Sequence, residues 1–97
     1  MSEEPSARRS VTIINQRGLH ARAAAKFVQM AASHPKARIQ VTRDGQTVNG
    51  ESIMGLMMLG AGPGSVVEIS ASGPEPEASE AVDALCALVQ SKFGEPE

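Results

Sequence analysis

The sequence predicts an α+β fold, an open-faced two-layer sandwich in which helices cover one face of an antiparallel sheet, and three observations lead there. Short β-branched runs alternate at "SVTII", "ARIQV" and "SVVEISAS", as half-buried strands do. Stretches with helical apolar spacing stand between and after them. One pair of runs is joined by Asp44-Gly45, a two-residue connection suited to a tight hairpin. At 97 residues the chain has material for one core and no second folded unit.

Residues 1–10, with Pro5, three serines and two arginines, have no regular apolar period and are expected to form a flexible N-terminal tail. "SVTII" is then the first strand, with Val11 and Ile13 facing a core and Thr12 and Ile14 facing away. From Leu19 the spacing turns helical, with Ala21, Ala24, Phe27, Val28 and Ala31 on one stripe. Pro35 disfavours helical geometry at His34 and ends that helix.

The next two strands close on Asp44-Gly45. A type I′ turn there pairs Arg43 with Gln46 and sets Val41 opposite Val48, so turn and apolar pattern agree on the buried face. "ESIMGLMMLGA" is a short helix capped by Ser52 and ended by Gly60, Gly62, Pro63 and Gly64. A strand carried by Val67, Ile69 and Ala71 follows. The last helix opens near Pro76 among acids that suit its positive end, and runs through Val82, Leu85, Leu88 and Val89 to Lys92 and Gly94. The order is strand, helix, strand, strand, helix, strand, helix. The folded domain is expected over residues 11–93, with 94–97 a C-terminal tail.

Composition excludes several functions. The formal net charge is -2, with two Phe and no Tyr or Trp, so the chain has neither a basic surface for phosphate backbones nor platforms for base stacking. No nucleic-acid partner is expected. Cys86 stands alone, the N-terminal residues carry acids and no apolar run, and the longest apolar stretch, "IMGLMMLGA", is far below the roughly 20 residues of a membrane span. The expected setting is the cytoplasm, with no membrane contact. "GAGPG" follows a helix and precedes a strand, the reverse of the dinucleotide-binding order, and reads as a loop. Gly55 and Gly60 have P-loop spacing, but Ala61 stands where the lysine belongs. His20, His34 and Cys86 are too few and scattered for a zinc site, and no metal or cofactor is expected.

His20 is the chemical candidate. An isolated histidine is more often a surface or capping residue than a reactive one. At a helix start, however, free backbone N–H groups and the positive dipole end disfavour the imidazolium and favour an added anion. The ring stays neutral and nucleophilic, and its phosphorylated form is stabilised, with the N–H groups of Ala21 and Arg22 as the expected phosphate contacts. The Arg22 side chain offers a fixed charge for phosphoryl oxygens. The alanines at 21, 23, 24 and 25 are read as room for another protein's active site to approach.

"NQRGLHARAAAKFV" resembles the active-site segment of HPr, the histidine phosphocarrier of the bacterial phosphoenolpyruvate-dependent phosphotransferase system, and "VNGESIMGLMMLGAGPGS" resembles a second block of that family. The resemblance covers about Val11 to Phe93. It implies a four-stranded antiparallel sheet with three helices on one face, in βαββαβα order. It also implies a carrier that is not itself an enzyme, forming a phosphohistidine intermediate on Nδ1 of His20 with phosphate from enzyme I, and passing it to an enzyme IIA-type acceptor. Arg22 matches the arginine beside that histidine. Ser52 matches a serine modified by HPr kinase/phosphorylase in many relatives. Ala23 replaces the usual proline after the arginine, and Glu51 stands where relatives often have lysine, an acid that opposes phosphate at Ser52.

Ile53, Met54, Leu56, Met57, Met58 and Leu59 are more apolar surface than one short helix can bury, and about half are expected in the core. The rest suit a surface that repacks against several partners. Met54, Met57 and Ala25 are the expected partner-binding residues, on a protein expected to be monomeric. Cys86 is a small core residue. A different class stays open: a non-catalytic regulatory module of a nitrogen-linked phosphotransferase branch, read out by its phosphorylation state. An acylphosphatase-type enzyme has only Arg22 and Asn15 to support it.

Overall fold

The structure, a computed structural model, describes residues 5–97. Four strands form one antiparallel sheet: β1 (Ala7–Thr12), β2 (Arg38–Arg43), β3 (Gln46–Asn49) and β4 (Val66–Ser72), in the order β1-β4-β2-β3. The helices are α1 (Ala21–Ala32), α2 (Ile53–Met58) and α3 (Glu77–Gln90), followed by a 3-10 turn at Lys92–Gly94.

Register and burial agree along the sheet. Val11 pairs with Val67, and Val41 pairs with both Ile69 and Val48. Val11, Val67, Ile69, Ala71, Ile39 and Val41 are buried, because alternate residues of each strand point to the helical side. Phe27 and Ala31 of α1 and Val82, Leu85, Cys86 and Val89 of α3 fill the space above them. Burial pushes the Cys86 thiol up from its ordinary range, with Arg9 countering and Asp83 adding, as suits a small apolar filler. The hairpin forms as expected: Asp44 and Gly45 have φ of 50° and 81°, and Arg43 pairs with Gln46.

Both expected tails need correction. Of residues 1–10, those numbered 1–4 lie outside the described residues, but Ala7 to Ser10 belong to β1. Ala7, Arg8 and Arg9 pair with Ala71, Ser70 and Ile69, and Ser6 N–H donates to Ala71 O at 2.8 Å. Strand pairing uses backbone groups, so a polar edge segment joins a sheet without apolar side chains. Arg9 also meets Asp83 of α3 at 3.1 Å.

Residues 94–97 are no tail either. Phe93 is fully buried, and Lys26 Nζ donates to its carbonyl at 2.6 Å. Lys92, Phe93 and Gly94 all have positive φ, which turns the chain out of α3 and back toward the start of α1. There Gln16 N–H donates to Glu97 O at 3.1 Å. Residues 95–97 thus form a strap across the loop before α1.

Candidate functional site

The loop from Ile13 to His20 is fixed from below. Asn15 is fully buried, and its Nδ2 donates to Gly18 O at 2.9 Å. Gly18 has φ of 65°, and a Cβ on it would lie 2.4 Å from Ala61 O. Leu19 N–H donates to that same Ala61 carbonyl at 2.9 Å. The "GAGPG" loop is therefore a loop, as expected, and it serves as the floor on which the start of α1 rests. Glycine at 18 is required twice, for the left-handed backbone and for the close approach.

His20 is the N-cap residue of α1, with φ −76° and ψ 178°. Its carbonyl accepts from Ala24 N–H at 2.8 Å, while its side chain makes no capping bond. The N–H groups of Ala21, Arg22 and Ala23 therefore have no intrahelical acceptor. The ring turns instead to the strap: Nε2 lies 2.5 Å from Glu95 Oε2, with 23% of the His20 side chain and 13% of the Glu95 side chain exposed. The other Glu95 oxygen, Oε1, accepts from Asn15 Nδ2 at 3.0 Å. Both acceptors of Asn15 lack hydrogens, so its amide nitrogen must face them. The carboxyl of Glu95 is held below its ordinary range, first by the hydrogen bond from His20, then by Asn15 and the charges of His20 and Arg17, against an opposing push from burial.

Around Glu95, the partner of the ring, Gln16, Arg17, Arg22, Pro96 and Glu97 line a polar pocket with it. Arg22 is exposed, so its guanidinium is available to an incoming anion. Ala21 is exposed and Ala25 half-buried, but Ala23 and Ala24 are fully buried. This corrects the reading of four open alanines: at 23 and 24 small side chains let α1 settle closely on the core, and only the outward positions give access. Glu95 was missed by sequence reasoning, which placed it in a tail; the signal was Phe93 before Gly94, an apolar anchor followed by a turn.

The second candidate surface is α2, which packs against α1. Ser52 caps it as expected, its Oγ accepting from Gly55 N–H at 3.0 Å. Leu56 and Leu59 are buried, while Ile53, Met54, Met57 and Met58 are 41, 73, 44 and 67% exposed. Fewer of these side chains enter the core than the expected half, because a six-residue helix turns fewer than two full turns toward it. Met54 and Met57 are exposed, as expected, and Ile53 and Met58 join them around one shallow apolar depression. Among the described residues, no group of His, Cys, Asp and Glu is arranged to hold a metal ion, and no helix is long and apolar enough to cross a membrane.

The open-faced sandwich sets a mostly buried histidine at a helix start, on a chain that also carries an arginine-lined pocket and an exposed apolar patch, an arrangement that suits a small anion-carrying protein. Comparison with known proteins identifies that class. The family described as "PTS HPr component phosphorylation site" matches residues 7–91. Phosphocarrier protein HPr of Cupriavidus necator is 48% identical over 89 residues, 92% of this chain and 97% of that protein. Phosphocarrier protein NPr of Shewanella violacea is 41% identical over 87 residues, 90% of this chain and 92% of that one. The crystal structure of HPr-C-His from Thermoanaerobacter tengcongensis superposes with a TM-score of 0.86 at 45% identity, covering 94% of this chain and 99% of that one. The chain belongs to the HPr family of phosphocarriers, proteins of the phosphotransferase system that carry a phosphoryl group and turn over no small molecule of their own.

Proposed function

We propose that this protein accepts a phosphoryl group on Nδ1 of His20 from phosphorylated enzyme I and passes it to an enzyme IIA-type acceptor, in the cytoplasm and as a monomer. One observation carries the reading. His20 is the N-cap residue of α1 with its Nε2 committed to Glu95, so Nδ1 is the ring nitrogen left for a phosphoryl group, on the residue that precedes Arg22 and the free N–H groups of the first helical turn. Those donors and the helix dipole favour the added dianion. Arg22 contributes most as the phosphoryl group moves, when charge spreads over its oxygens. Met54 and Met57, with Ala25, form the contact surface for the protein that closes over the ring. Ser52 is the site at which an HPr kinase/phosphorylase would add a regulatory phosphate.

The test is incubation with enzyme I, phosphoenolpyruvate and magnesium. The expected product is an acid-labile, base-stable phosphoryl group that His20→Ala cannot acquire. Acid-labile phosphate on His20→Ala would place the acceptor elsewhere.

The similarity to a protein named NPr supports a second reading, a regulatory module of a nitrogen-linked branch. Phosphorylated carrier offered sugar-branch and nitrogen-branch IIA proteins separates the two, since the correct branch drains the phosphoryl group faster.

A further inference from the structure

The strap at residues 95–97 gives His20 more than cover. We propose that Glu95 is a positioning residue whose carboxylate holds the His20 ring in the tautomer with hydrogen on Nε2, leaving the lone pair on Nδ1 for the phosphoryl group. The inference rests on the reading of His20 as the phosphoryl acceptor, and it goes beyond that reading by naming what sets the reactive nitrogen.

The geometry leaves little freedom. Glu95 Oε2 lies 2.5 Å from Nε2, and an ionised carboxylate only accepts, so the hydrogen between them belongs to the ring. The carboxylate cannot swing away without loss. Its Oε1 is engaged by Asn15 Nδ2 at 3.0 Å, and Asn15 is fully buried and bound to Gly18 O at 2.9 Å. The backbone on either side of Glu95 is anchored by Lys26 on Phe93 O and by Gln16 N–H on Glu97 O. One chain of contacts thus runs from the loop before α1, through Asn15 and Glu95, to the ring.

That arrangement suits the transfer in both directions. In acceptance, the Nδ1 lone pair forms a bond to phosphorus while the bond from phosphorus to the donor's leaving atom breaks, its electron pair staying with the donor. No proton leaves or enters the ring, because Nε2 already carries its hydrogen. The phosphorylated ring is then cationic, and the carboxylate across Nε2–H stabilises that charge; when a later acceptor attacks phosphorus, the N–P pair returns to Nδ1 with Nε2–H unchanged. Arg17 and Arg22, lining the same pocket, offset the repulsion between Glu95 and the incoming phosphoryl oxygens.

Glu95→Gln tests this sharply. A carboxylate offers one acceptor oxygen to Asn15 and another to His20, but an amide has one oxygen and one NH2 group. Asn15 requires the oxygen, so the NH2 group faces Nε2, which must then accept, and the hydrogen moves to Nδ1. Nitrogen-15 NMR of the His20 ring should show a protonated Nε2 and a bare Nδ1 in the parent, and the reverse in Glu95→Gln. Transfer from enzyme I should slow by at least about ten-fold in kcat, as expected for a wrong tautomer, with KM little changed. Glu95→Ala should leave the ring in a mixture of the two tautomers. An amide fingerprint spectrum confirms that each variant is folded. A parent ring with hydrogen on Nδ1 overturns the proposal. So does a Glu95→Gln protein that keeps hydrogen on Nε2 and accepts phosphate within about two-fold of the parent rate. If the parent takes up no phosphate at His20, the carrier reading fails, while the ring-nitrogen signals still decide the role of Glu95.

Discussion

The start of α1 and the outer side of α2 are built in opposite ways. Around His20, a connected set of polar side chains is tied: Asn15 to Gly18 and Glu95, Glu95 to the ring, Lys26 to Phe93. On α2, four large apolar side chains stand in solvent with no such ties, on a helix held by one serine cap and two buried leucines. On the proposed function, the difference suits two tasks. Transfer requires one ring nitrogen in one place, which hydrogen bonds can specify. Docking to several proteins requires a surface that re-forms for each, and unbranched thioethers do that at small cost. A substitution in the first region should change the rate of chemistry, and one in the second should change binding.

The largest effect that sharpens this contrast is expected from Arg22→Ala. The residue is exposed, so the melting temperature should hold. On the proposed function its charge acts mainly on the moving phosphoryl group, so kcat for transfer should fall by about ten- to a hundred-fold with KM nearly unchanged. A stopped-flow comparison of the two parameters checks this. Unchanged kcat would mean that the backbone N–H groups of the first turn suffice.

Met57→Glu should behave conversely. An unpaired charge in an apolar contact should weaken docking to enzyme I by about 1–2 kcal/mol, roughly ten-fold in KM, leaving kcat intact. The side chain is 44% exposed, so little stability should be lost. A large drop in melting temperature with normal docking would assign Met57 to the core and erase the distinction between the two regions.

A smaller effect follows from pH. The carboxyl of Glu95 is held below its ordinary value, so near that value the unfolded chain binds more protons than the folded one and stability rises with pH. The contribution is complete above the ordinary carboxylate range and is lost as pH falls through the depressed value. The parent should therefore lose melting temperature more steeply into acid than Glu95→Gln does. Signals from the strap should shift as Glu95 protonates, while those of α2 stay put. Identical acid slopes would show that the carboxylate contributes nothing to holding the strap.

How far these regions could be read from the sequence follows from the same physics. The hairpin was legible because Asp44-Gly45 fixes a register that the valines at 41 and 48 independently require. The helix start was legible because small residues, an arginine and a histidine stand at a change of period. β1 was placed too late, since "ARRS" pairs through its backbone and leaves no apolar trace. Glu95 was missed because its role depends on a reversal of direction at Lys92–Gly94 that brings residue 95 to residue 20, and Phe93 before Gly94 marks the turn but not where it leads. Ala23 and Ala24 were misassigned because smallness serves close packing as well as access, and only the direction of each side chain separates the two.

The smallest expected effect is at Ser52, where the two regions meet, and two substitutions there divide structure from charge. Its Oγ accepts from Gly55 N–H at 3.0 Å, so Ser52→Ala should cost about 1 kcal/mol of stability through the lost cap. Ser52→Asp should cost almost none, because aspartate caps a helix start as well as serine does. It does add a negative charge next to Met54 and Met57, where on the proposed function a partner closes over an apolar patch. Phosphorylation would add about two charges at the same atom. If α2 is a docking surface and not part of the transfer chemistry, Ser52→Asp should raise KM for the carrier in the enzyme I reaction and leave both kcat and melting temperature near the parent's, while Ser52→Ala should do the reverse, lowering melting temperature with parental kinetics. Measuring both variants at limiting carrier concentration decides it. Parental KM in Ser52→Asp would show that charge at residue 52 does not reach the docking surface, and the serine would then act on α2 only as its cap.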